Sequence, residues 1–250
     1  MSEIISRPIV TVTNVIWSYD FTSEKVVLLL TKKADEPFKN FWSLPETFLR
    51  ATEDADTAAL RLISDKIGIQ LDNYHTEQLA TFSSVNRTST DRQLALAYMT
   101  FLPNLPTLTA GVGATDVAWV PMNSTDTIFT LNHPDFVVTL PDMPSDLFYQ
   151  DRTTGNRQPQ LAFDHELVIR TAITRVRNKL DYAPSILRIL GPSFTLKNAR
   201  KIYANFLGVS ELTIDNSNFR KTHDHLFSET GHVTVVGKGR PAKLYELKYI

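Results

Sequence analysis

Cysteine is absent from the 250 residues, which excludes disulfides, thiol catalysis and thiolate metal sites and fits a reducing compartment. No stretch approaches the roughly 20 consecutive apolar residues of a membrane span. The opening MSEIISRPIVTV lacks the basic region and long apolar run of an export signal, so a cytoplasmic chain is expected. Internal repeats and low-complexity tracts are missing too. The six histidines offer no metal site, because His223 and His225 are two apart on an expected helix and diverge. Asp164, His165 and Glu166 diverge likewise and read as a helix start, with Asp164 as a possible cap. Neither a metal nor a cofactor is expected.

Net charge is nearly missing as well, at −1 from 26 Lys/Arg and 27 Asp/Glu. That balance conceals a polarity. Residues 195–250 carry nine Lys/Arg against five Asp/Glu, or +4, which leaves −5 for residues 1–194. Such asymmetry separates an electrostatic footprint from an evenly solvated surface. A hydrophobic content of 42% supplies a substantial core, and the length suits two domains.

Residues 8–18 and 25–31 are β-branched and apolar and read as core strands. Further strands are expected at 76–84, 92–103 and 117–122. A helix is expected from Asp56 to Ile67, with Asp54 or Asp56 as N-cap, Gly68 as stop, and a sheet-facing stripe of Ala59, Leu60, Ile63 and Ile67. Together these predict a mixed α/β sandwich over residues 1–140. The proline-rich and polar residues 141–162 read as a linker or insertion. Residues 163–250 then form a second unit. It begins with a joining helix over 163–181, striped by Leu167, Ile169, Ala172, Ile173, Val176 and Leu180, a face that a dimer would use. A helix over 195–208 follows, capped by Thr195 and stopped by Gly208. A third runs over 215–229, and two strands are joined by the turn GKGRPAK.

Helix, helix and basic hairpin read as a winged helix-turn-helix, in which one helix braces, the next enters a major groove and the wing follows phosphates or the minor groove. Phe219 and Leu226 would pack inward and leave Asn218, Arg220 and Lys221 outward. Asn and Arg suit base edges, and Lys suits phosphate. Arg240, stiffened by Pro241 in the wing, suits a narrow minor groove. Thr195, Lys197, Lys238 and Lys243 complete the expected DNA-contacting set.

Residues 39–69 resemble the Nudix hydrolase signature, Gly, five residues, Glu, seven residues, then Arg-Glu-apolar-x-Glu-Glu-x-Gly-apolar. Glu53, Arg61, Ile63, Gly68 and Ile69 match it. Thr47 stands at the first Gly, and Leu62, Asp65 and Lys66 stand at the three helix glutamates. A hard cation such as Mg²⁺ needs several oxygen ligands, and an aliphatic chain, one carboxylate and an ammonium do not supply them. Diphosphate hydrolysis through this helix is therefore not expected, and Glu53 with Arg61 is read as a structural pair. Lys66 would instead favour a phosphate without metal.

The stretches PFKNFWSLP, EQLATFSSVNRTSTDRQLALAYMTFLP, LAFDHELVIRTAITRVRNKLDY, NFRK and GKGRPAKLYELK extend the resemblance over nearly the whole chain, to the Nudix-related transcriptional regulators of the NrtR type. That resemblance implies a homodimeric repressor on a palindromic operator, with a Nudix-like domain that senses a small metabolite. ADP-ribose or a related nucleotide is implied in the branch serving NAD metabolism, and a pentose in branches serving sugar utilisation. Lys66, Arg87 and Arg92 are the candidate ligand contacts. Two other readings stand beside it: a hydrolase using residues outside the signature helix, and a nucleotide- or RNA-binding adaptor, for which exposed aromatic platforms are missing.

Overall fold

The computed structural model describes residues 7–71, 75–88, 91–126, 128–141, 160–234 and 241–248. Strands β1 (Ile9–Asp20), β2 (Lys25–Lys33), β3 (Trp42–Ser43) and β4 (Glu46–Phe48) precede α1 (Ala55–Ile67). Strands β5 (Thr76–Phe82), β6 (Gln93–Phe101), β7 (Ala114–Thr125), β8 (Ile128–His133) and β9 (Phe136–Pro141) follow. Their hydrogen-bonded order is β5-β6-β1-β2-β7-β8-β9, with β3 on β2 and β4 on β1. β1 and β6 run parallel, from Ile9 opposite Gln93 to Trp17 opposite Phe101.

β1 is central and is covered on both faces, so it reads as a nearly continuous apolar run. Side chains alternate across a strand, and the two faces have different partners. Val12 packs with Ala58 and Ala59 of α1, and Ile16 with Ile63 and Ile67. Val15, Trp17 and Tyr19 point the other way, into a core shared with the C-terminal helices.

α2 (His165–Lys179) covers that second face. Its Val168, Ile169, Ala172, Ile173 and Val176, together with Leu180, are buried in the same core as the sheet. This corrects the expectation that the stripe serves a dimer, because the chain's own sheet occupies it. Leu167 is only half-buried. Arg175 donates to the Leu79 carbonyl at 3.0 Å, and Lys179 pairs with Glu77 at 2.7 Å, tying the helix to β5.

The C-terminal part contains a 3-10 turn over Ser185–Leu190, α3 (Leu196–Leu207), α4 (Asn216–Thr222), β10 (Phe227–Thr234) and β11 (Ala242–Leu247). Thr195 caps α3 by accepting from the Asn198 N–H, and Gly208 ends it in the left-handed region at φ 70°, as the sequence suggests. The expected helix over 215–229 is corrected. α4 ends at Thr222, and Phe227 begins a strand paired with β11. Beyond that end, His223 Nε2 lies 3.4 Å from the Asp181 carboxylate and His225 Nε2 3.3 Å from the Asp181 carbonyl.

The two parts meet closely. Trp17 and Phe206 touch edge to face with ring centroids 5.6 Å apart. The Asp126 N–H donates to the Gly208 carbonyl at 2.9 Å, and Asn205 donates to the Met122 carbonyl at 3.3 Å. A Cβ on Gly208 would lie 1.8 Å from the Asp126 carbonyl oxygen. The α3 C-terminus thus rests on the β7–β8 end of the sheet with no room for a side chain. Among the described residues, no helix is long and apolar enough to cross a membrane.

Candidate functional site

The signature helix α1 is capped by Asp54, whose carboxylate accepts from the Thr57 N–H, and it stops at Gly68 with φ 73°. Glu53 and Arg61 form a two-point pair, Nε to Oε2 at 2.8 Å and Nη2 to Oε1 at 2.6 Å. Arg61 also reaches Thr47 Oγ1 at 3.2 Å, the Phe48 carbonyl at 3.1 Å and Asp65 at 3.1 Å. It therefore ties the loop before the helix to the helix itself.

The three signature positions diverge in environment. Leu62 is fully buried. Asp65 is half-exposed and is engaged by Arg61. Lys66 donates to the Val112 carbonyl, and burial, then the neighbouring Lys33, holds its ammonium below the usual lysine range. Gly111 permits this packing, since a Cβ there would lie 2.3 Å from the Asp65 carbonyl oxygen. This donor set does not fit the divalent cation that the signature normally serves. Among the described residues, no three or more His, Asp or Glu side chains are gathered into one group that could hold a metal ion.

Arg87 has different partners from Lys66. Its side chain is fully buried, with Nε 3.0 Å from the Asp164 carboxylate and Nη2 3.4 Å from Glu46. Arg92 spends its guanidinium on the carbonyls of Ser83 and Ser84, both at 2.7 Å, and so braces the 83–92 loop. Glu46 and His165 have no signal in the sequence as site residues. Burial pushes the Glu46 carboxyl up, but the His165 ring, Arg87 and the Thr13 hydroxyl outweigh it and hold it below the usual glutamate range.

Hydrogen bonds from Arg61 hold Glu53 down to about 2, against an ordinary value of 4.5. A carboxylate depressed by folding adds stability above its unfolded pKa and loses it as pH falls through the folded one. Acid unfolding followed by circular dichroism is therefore expected to begin below pH 4.5 and continue towards 2. Glu53→Gln should flatten that limb, and an unchanged limb would refute the assignment.

In the C-terminal part, Phe219 and Leu226 pack inward beside Tyr203, Phe194 and Phe227. Tyr203 donates to the Leu180 carbonyl at 2.6 Å, and its ring meets Phe219 at right angles, 4.9 Å away. Anchored by that aromatic cluster, α4 presents Asn218, Arg220 and Lys221 to solvent. Asp215 caps it by accepting from the Asn218 N–H at 2.7 Å. Glu229 on β10 stands between α4 and the wing, 2.6 Å from Lys243 and 3.9 Å from Arg220. Thr195 is half-buried as a cap and Lys197 is exposed beside it. Lys238 and Arg240 lie outside the described residues, as does most of the 141–162 segment.

A MutT/Nudix family protein from Enterococcus faecalis is 31% identical in a match covering 99% of this chain and 89% of that one, with a TM-score of 0.84. The chain belongs to the MutT/Nudix family. Residues 186–247 of this Nudix protein match the family of the NrtR DNA-binding winged helix domain. It is 24% identical over 95% of its length to an ADPR-responsive transcriptional repressor, NtrR, of Acinetobacter baylyi, covering 81% of that protein. Shewanella oneidensis NrtR, solved with a 27mer DNA, shares the fold at a TM-score of 0.66 and 23% identity, covering 96% of this chain and 93% of that one. The fold is a Nudix-like mixed α/β domain followed by a winged helix domain.

Proposed function

We propose that this Nudix protein is an effector-responsive DNA-binding repressor that has exchanged hydrolysis for sensing. Residues 1–140 receive the metabolite, and 163–250 join that domain to the DNA reader. The observation that carries the reading is the winged helix match over 186–247, which falls where Asn218, Arg220 and Lys221 stand outward on a capped helix. The relative in Acinetobacter baylyi is named for its response to ADPR, and we assign the same ligand class, an ADP-ribose-like nucleotide, to this chain. Loss of hydrolysis is supported by the buried Leu62 and the engaged Lys66.

An effector lowers DNA affinity only by favouring a conformation that binds DNA less well. The seam at Asp126 and Gly208 gives such a change a route from sheet to reading helices. We assign a homodimer on a palindromic operator. With the α2 stripe spent inside the chain, the contact between copies lies elsewhere.

The test begins with duplexes selected in vitro for binding, followed by addition of ADP-ribose, NAD or pentoses while anisotropy reports release. Release by ADP-ribose without AMP formation, in Mg²⁺ or Mn²⁺, is the expected result. Brisk appearance of AMP would return the chain to the hydrolases, and release by a pentose alone would reassign the effector.

A further inference from the structure

The turn that opens α2 gathers features that neither the fold nor the DNA surface accounts for. Phe163 has φ 54°, a left-handed conformation that is costly for a bulky side chain. Its ring lies 4.7 Å from that of Phe38, which has φ 69°. Lys33 Nζ lies 5.2 Å from the Phe163 ring and Arg87 Cζ 5.7 Å from it. Next to the ring, two buried donors lack acceptors. Arg87 Nη1 meets none, although Nε and Nη2 are paired. His165 Nδ1 accepts from the Leu44 N–H at 3.0 Å, which leaves the ring proton on Nε2, and that atom lies 3.8 Å from the Glu46 carboxylate, beyond hydrogen-bond reach. A buried donor left unsatisfied is destabilising.

Asp164 adds an unused alternative. It stands at the N-cap of α2, yet its side chain makes no cap hydrogen bond, and its ψ of 23° is not that of a capping residue. Its carboxylate is given to Arg87 instead. An aspartate at this position ordinarily accepts from the helix N–H groups, which stabilises the helix. The same carboxylate thus has two competing uses, one within the sensing domain and one on the helix that leads to the DNA reader.

We propose that Arg87 and His165 form an anion-receiving site for a phosphate oxygen of the effector, and that its occupation releases Asp164 to cap α2. The proposal rests on the reading of the Nudix domain as a sensor of a phosphate-bearing nucleotide. In the state described here Arg87 holds Asp164, and the Phe163 ring lies 5.7 Å from the guanidinium carbon. In the second state Phe163 turns aside, the phosphate takes Arg87 Nη1 and His165 Nε2, and Asp164 rotates onto the first turn of α2. Strain at Phe163, two orphaned donors and an idle cap are relieved together, so the turn has two discrete arrangements rather than a graded response. Lys33, 5.2 Å from the Phe163 ring, adds positive charge beside it.

Asp164→Asn separates the two uses, because asparagine caps a helix as well as aspartate but forms no ion pair with arginine. It should bind ADP-ribose more tightly than wild type and bind selected operator DNA less well without ligand. Arg87→Lys keeps the charge but not the fork. It should weaken ADP-ribose-driven release of DNA roughly ten- to hundredfold, measured against its own ligand-free operator affinity. Wild type and both variants are assayed by anisotropy release and calorimetry with ADP-ribose, ribose 5-phosphate and pyrophosphate, after circular dichroism has confirmed folding. A wild type that responds while both variants match it overturns this site and leaves the sensor reading intact. A wild type that ignores all three ligands overturns both. Should Arg87→Lys fail to fold, Asp164→Asn decides alone, its opposite shifts in ligand and DNA affinity supporting the switch and their absence refuting it.

Discussion

Gly208→Ala lowers the unfolding free energy by about 2–5 kcal/mol, the sum of a left-handed alanine at about 1–2 and an overpacked contact at about 1–3. Both causes are local and independent. The backbone stands at φ 70°, and the added Cβ meets the Asp126 carbonyl oxygen at 1.8 Å, which is backbone and moves only with β7 and β8. For a chain of this size each kcal/mol shifts the melting temperature by roughly 2–4 °C. Gly68→Ala is the internal control, with φ 73° but nothing within 4 Å of the place its Cβ would take. It should cost only the conformational part. Equal losses in urea titrations of the two variants would remove the close approach at Gly208 from the account. Because the contact joins the end of α3 to the sheet, Gly208→Ala should also change operator affinity, whereas Gly68→Ala should not.

The second large effect falls on α4. Arg220→Ala is expected to weaken binding to a selected operator roughly ten- to hundredfold and to relax preference at one base pair, since a base-contacting arginine is worth about 1–3 kcal/mol. Lys221→Ala should weaken all duplexes alike and reduce the slope of log affinity against log salt by about one. Glu229 refines the prediction, because its carboxylate lies against Lys243 and near Arg220 and repels any phosphate that approaches. Glu229→Gln should strengthen binding to random duplexes and narrow the gap between operator and non-operator DNA. Unchanged binding by the Arg220→Ala, Lys221→Ala double variant in equilibrium titrations would remove α4 from the interface.

Local chemistry makes much of this legible in the sequence. Asp54, Gly68, Thr195 and Gly208 carry cap and stop signals within a few residues of the helices they bound, and the structure uses all four. β8 and β9 are absent from the expected strands although their pattern is readable, since Phe129 and Leu131, then Val138 and Leu140, alternate inward with a period of two. The overextended third helix has a different cause. Leu226 lies seven residues beyond Phe219 and mimics a helical stripe, while Phe227 pairs with Leu247 of β11, a residue distant in sequence, and takes the chain into a strand. The cluster of Glu46, Arg87, Asp164 and His165 is illegible for the same reason, its members meeting only when β4, the 83–92 loop and α2 pack. Arg87 does stand among the candidate ligand contacts, but its burial against two carboxylates has no local signature.

One apolar core runs from β1 through α2 to Phe227 and Tyr245 of the wing sheet. A metabolite held anywhere on such a body lends its binding energy to the whole polypeptide, by about 2.7 kcal/mol at a hundred times its dissociation constant. Calorimetry should then record one endotherm rather than two, moving upward as a unit when ligand is added. The DNA-reading end would be protected from heat by a molecule it never touches.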